Sequence, residues 1–124
     1  MQKQKTRINR FAFIIPFLLF IITCGIYFHN LSSSVFGGDV GDFISAIVTY
    51  GVPHPSGYPL FTMLGILANN LPFGFSVAWK IGIISVLSAS FSVVLLYVLV
   101  DWIVKNKLIA GISALYMAFF SIFW

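Results

Sequence analysis

Apolar and polar positions along this chain fall in long blocks rather than alternating residue by residue. Three apolar runs cover residues 11–28, 81–100 and 108–124, divided by one long mixed stretch and one short charged one. An apolar run of about 18 to 20 residues is long enough, as a helix, to cross the hydrocarbon core of a bilayer. The pattern therefore predicts an all-α integral membrane protein with three transmembrane helices. Residues 1–10 form a basic tail, 11–28 the first span, 29–79 a loop, 80–100 the second span, 101–107 a turn and 108–124 the third span. The chain stops inside that third run, as expected of the N-terminal fragment of a larger membrane protein.

Within the loop, Val40, Phe43, Ile44, Ile47 and Val48 recur at helical spacing, with Asp42, Ser45, Ala46 and Thr49 opposite. One apolar stripe of this kind predicts a short amphipathic helix lying in the membrane surface and ended by Gly51. Prolines 53, 55 and 59 exclude a regular helix through the next segment, and Pro55 pushes His54 towards an extended backbone. Residues 60–71 are apolar again but number twelve. At ~1.5 Å per residue that is too short to span, so a second interfacial or re-entrant helix is expected. In the second span, Ser85, Ser88, Ala89 and Ser92 make a small-residue face suited to close packing on another helix.

Composition sharpens the picture. Hydrophobic residues make up 60% of the chain and charged ones 8%, too little polar surface to cover a soluble core. The net charge of +4 does not point to nucleic acid, because the charges are not gathered on a face. Lys3, Lys5, Arg7 and Arg10 sit in the tail and Lys105 and Lys107 in the short turn, while residues 30–79 carry no Lys or Arg. By the positive-inside rule the N-terminus and the 101–107 turn are cytoplasmic and the loop is extracytoplasmic. The expected location is a multi-pass cell membrane protein of the inner or plasma membrane, with membrane lipid as its surroundings. The lone Cys24 cannot form an internal disulfide.

Candidate chemistry gathers in residues 36–59, which hold Asp39, Asp42 and His54. Asp39 and Asp42 lie three apart and share one side of a helix start. There they can hold a divalent cation or a sugar hydroxyl. The same spacing also suits a purely structural role, with Asp39 as N-cap and Asp42 at N3. Gly37, Gly38 and Gly41 would let a substrate approach the carboxylates. His54 could serve as acid, base or phosphate donor, or simply brace the turn. Tyr58 could stack on a sugar or anchor at the interface, and Lys80 could meet a lipid phosphate or snorkel. No phosphate loop, zinc spacing or nucleophile elbow is present, and no metal site is assigned.

The segments GGDVGDF, HPSGYPL, LPFG and VAWKIGIISVLSA resemble the N-terminal region of the protein O-mannosyltransferase-like glycosyltransferases, a polytopic membrane family. The likeness covers residues 36–89 and extends more loosely to the GT-C superfamily. It implies sugar transfer from a polyprenyl-phosphate donor to an acceptor hydroxyl on the extracytoplasmic side, with a divalent metal left open. Asp39, matching the family's aspartate, would be the base on the acceptor hydroxyl, and Asp42 would stand for its glutamate. His54, Gly57 and Tyr58 match the HPxGYP element and would bind substrate. Lys80 stands for an arginine that would contact the donor phosphate, without arginine's fork of donors. Ser56 replaces a proline of the motif. On this view the chain works with the remaining helices of the full-length protein and is inactive alone. The competing expectation is a non-enzymatic small membrane subunit that packs with partner helices through Ser85–Ser92.

Overall fold

The computed structural model describes residues 11–35 and 38–120. The expected basic tail, Gly37 and the last four residues of the third run therefore lie outside the described residues. Five helices follow in order: α1 (Phe11–His29), α2 (Asp39–Thr49), α3 (Pro59–Asn69), α4 (Val77–Val104) and α5 (Lys107–Ala118). They fall into two compact units, one of residues 27–88 and one of residues 1–26 with 89–124.

The unit of residues 1–26 and 89–124 is built on small residues. Ala110, Ala114 and Ala118 repeat every fourth position along α5 and are fully buried, in one cluster with Leu19 of α1 and Val93 and Tyr97 of α4. Alanine at that spacing gives α5 a flat strip on which larger side chains can close. Thr23 is buried within α1, and its hydroxyl donates to the Leu19 carbonyl at 2.8 Å, so no polar group is stranded there. Phe20 and Phe91 meet edge to face at 5.1 Å. Helix α4 runs on through residues 101–104, which were expected in a turn, because that stretch holds no helix breaker. It stops where Lys105 takes φ 54° and donates its N–H to the Asp101 carbonyl. Asn106 then caps α5, its side-chain oxygen accepting from Leu108 and Ile109 N–H.

In the unit of residues 27–88, α2 packs on α3. Ile47 is fully buried against Gly65, where any Cβ would collide with the Ile47 Cδ1. Ala46 is buried beside it, while Val40 and Val48 are exposed. Contact with α3 thus buries Ala46 and Ile47, whereas Val40 and Val48 of the stripe expected to lie on the membrane stay on the outside of the protein. The α3 glycine admits Ile47 and brings the helices close. Tyr50 adds a hydrogen bond from its hydroxyl to Asn70 Oδ1 at 3.2 Å. Ser76 heads α4, its hydroxyl accepting from Trp79 N–H and donating to the Ser33 carbonyl. Trp79 stacks on Phe75 at 4.0 Å and meets Phe28 edge-on.

Among the described residues α4 is the one helix long and apolar enough to cross a membrane. The described parts of the first and third runs form shorter apolar helices, as does α3. On α4, Ser85 and Ser88 are exposed and Ala89 and Ser92 half-buried, whereas Val86, Ser90 and Val93 face inward.

Candidate functional site

Helix α2 opens at Gly38, whose φ of 80° suits a residue without a Cβ, and no side chain caps it. Asp39 is consequently the first helical residue rather than the cap. It is exposed, and its side chain makes no hydrogen bond or ion pair with any described residue. Asp42 lies one turn further on and is engaged. Its Oδ2 accepts from the His54 backbone N–H at 2.8 Å and stands 2.7 Å from His54 Nδ1.

The bond from the His54 backbone and then that from its ring hold the Asp42 carboxyl below its ordinary value. The expected extended, proline-flanked turn is thereby pinned to the start of α2. Its interior closes locally: Gly57 N–H donates to the His54 carbonyl at 2.9 Å, and Gly57 takes φ 72°. Thr62 in the first turn of α3 bonds back to the Tyr58 carbonyl with both its N–H and its hydroxyl. Pro59 starts that helix, where its missing N–H costs nothing.

Phe43 and Tyr58 flank the His54 ring, and Phe61 packs behind Phe43. Phe43 meets Tyr58 at 5.0 Å and Phe61 at 5.4 Å, both edge to face, and lies 5.7 Å from the His54 ring. Tyr58 and His54 are 5.8 Å apart. Such pairs add about 0.5–1.5 kcal/mol each beyond area burial. A cleft of about 360 Å³ lies beside the turn, lined by Gly51, Val52, Ser56, Gly57, Pro59, Thr62, Met63 and Ile66.

Of the residues marked by sequence, Asp42, His54 and Tyr58 come together, and Gly57 shapes their turn. Lys80 does not join them. Its ammonium donates to the Asn69 and Leu71 carbonyls at 3.1 and 2.9 Å, closing the C-terminal end of α3. Phe43, Phe61 and Thr62 were not marked. Phe43 reads as part of a membrane-facing stripe by period alone, and its adjacency to Asp42 was the available clue. Among the described residues no group of three His, Cys, Asp or Glu is placed to share a metal ion.

The profile of the protein O-mannosyl-transferase TMEM260 N-terminal domain matches residues 39–124. Over the whole of this chain, protein O-mannosyl-transferase tmem260 of Dictyostelium discoideum is 36% identical, and the match covers 16% of that relative. Protein O-mannosyl-transferase TMEM260 of Mus musculus is 39% identical over 64% of this chain and 11% of its own length. The chain thus spans 16% or less of these relatives. No solved structure matches. The two segments that Asp42 and His54 tie together lie inside the matched region, and the chain belongs to the protein O-mannosyl-transferase TMEM260 N-terminal domain family.

Proposed function

We propose that this chain is the acceptor-activating part of a membrane glycosyltransferase that moves mannose from a polyprenyl-phosphate donor to a hydroxyl on a protein. The names of its relatives supply the sugar and the protein acceptor. One observation carries the assignment. Of the two carboxylates on α2, Asp42 is committed to the HPSGYP turn, and Asp39 is exposed with no described partner. A base must have an open oxygen within reach of the proton it removes. Asp39 takes the proton of the acceptor hydroxyl, and the oxygen attacks the anomeric carbon. The bond from that carbon to the phosphate oxygen breaks, and polyprenyl phosphate leaves with the electron pair, inverting the configuration.

The loop carrying Asp39 faces away from the cytoplasm, the N-terminus lies inside, and three spans hold it in a cell membrane. The remaining helices of a longer chain complete the donor side, and a divalent cation is an optional accompaniment. Lys80 spends two ammonium protons on α3, which leaves one for a donor phosphate. The test is mannose transfer to a serine- and threonine-containing peptide by the full chain as its gene encodes it, in nanodiscs. Asp39→Asn should abolish transfer without loss of folded protein. Wild-type transfer in that variant would exclude Asp39 as the base. A second reading rests on the exposed Ser85 and Ser88 of α4, a face fit for another helix. A non-enzymatic packing subunit would bind its partner through that face and show no transfer in either form.

A further inference from the structure

Geometry at the turn separates the roles of the two carboxylates further. We infer that Asp42 is a positioning residue, which holds the His54 imidazole with its proton on Nδ1 so that the Nε2 lone pair accepts a hydrogen bond from a substrate hydroxyl. This rests on the glycosyl-transfer reading above and names the contact within the same site. An ionised carboxylate has only acceptor sites, so a ring nitrogen 2.7 Å from it must carry the hydrogen. Asp42 is ionised at neutral pH because both bonds from His54 hold its carboxyl below the ordinary value. The proton is then fixed on Nδ1, and in the neutral ring Nε2 is left as an acceptor. The same logic orients the histidine of a serine protease, where an aspartate selects the tautomer.

Nothing among the described residues bonds to Nε2, and the His54 side chain remains 38% exposed. The titratable groups that face the ring are Asp42 from α2 and Tyr58 from the turn, and Phe43 closes one flank. An aromatic ring beside a fixed hydrogen-bond acceptor suits a sugar, with its C–H face and its hydroxyls. It equally suits a serine or threonine side chain. The shared chemistry is a hydroxyl donor, and the experiment distinguishes the two sources.

Diethyl pyrocarbonate acylates a histidine nitrogen that has a free lone pair, and mass spectrometry maps the adduct. The full chain in nanodiscs is labelled alone, with methyl α-D-mannopyranoside, and with a serine- and threonine-containing peptide. His54 should label when the protein is alone, and one ligand, supplied at about ten times its Kd, should slow labelling by about tenfold. Protection by the mannoside assigns the contact to the donor sugar, and protection by the peptide assigns it to the acceptor. Labelling unaffected by either ligand overturns the inference.

In the transfer assay, His54→Asn keeps an N–H for Asp42 but has no counterpart of Nε2. Its kcat/KM should fall by about tenfold or more at an unchanged Tm. Asp42→Asn still accepts from the His54 backbone but no longer fixes the tautomer, so kcat/KM should fall there too. Wild-type kcat/KM in His54→Asn would reduce the ring to a brace and overturn the inference. Absence of transfer by the wild-type protein is a different result. It removes the glycosyltransferase assignment, while ligand protection of His54 still decides the contact.

Discussion

At the scale of single residues the useful distinction is between Asp39 and Asp42, alike in the sequence and different in what they touch. Asp42 carries a pH dependence whose sign follows from its contacts. Hydrogen bonds from His54 lower its folded-state carboxyl value, so the folded form holds the proton less tightly than the unfolded one. The contribution to stability is complete above the ordinary carboxylate value and is lost as pH falls through the lowered one. Hydrogen exchange at the His54 amide, which donates to Asp42, reads this directly. Corrected for intrinsic rates, its protection should fall in acid and stay high at neutral pH, and Asp42→Asn should flatten the profile. Asp39 should behave otherwise. A capping aspartate replaced by alanine would cost about 1 kcal/mol. Gly38 takes the cap position and no side chain bonds there, so thermal unfolding of Asp39→Ala should match wild type.

The helices show where sequence pattern is sufficient and where packing overrides it. Existence and order of all five were legible, since each apolar run and each proline or glycine break has a direct local cause. The face that α2 buries was not. A period of 3.6 marks Val40, Phe43, Ile44, Ile47 and Val48 equally, and only contact with α3 selects Ile47 and Ala46. Similarly, HPSGYP and the paired aspartates were visible as separate motifs. Their joining is a contact across twelve residues, which no local period encodes.

Gly65 tests the packing. Alanine in a helix gains about 1 kcal/mol over glycine. A Cβ there meets both Cδ1 and Cγ1 of fully buried Ile47, and overpacking of a core costs about 1–3 kcal/mol. Gly65→Ala should therefore lower stability by about 1 kcal/mol net, measured by thermal unfolding in detergent. Adding Ile47→Val, which removes Cδ1, should recover part of the loss. A stabilised Gly65→Ala would show that α2 and α3 are not in close contact there.

At the scale of the whole molecule the question is which helices cross the membrane, and lengths divide them. Helix α4 has 28 residues, or ~42 Å at 1.5 Å each, against a hydrocarbon core of about 30 Å. Helix α1, with 19 residues, reaches ~28 Å, and the 12 residues of α5 reach ~18 Å. Crossing by α4 is thus the strongest element of the proposed topology, and it alone separates the site-bearing loop from Lys105 and Lys107. Those lysines, set against a loop with no Lys or Arg over residues 30–79, are the ground for proposing that the site lies outside. Residues 1–124 hold one cysteine, Cys24, so in this segment a Cys24→Ser background leaves the introduced cysteine as the one maleimide target. In intact cells an impermeant maleimide should label Ser33→Cys, before α4, and should reach Lys105→Cys, after it, only once the membrane is opened. Labelling of both from outside would mean that α4 does not cross. Reaction of Lys105→Cys alone would invert the molecule and put Asp39 and His54 in the cytoplasm. A polyprenyl-linked sugar presented on the outer face could not reach them there.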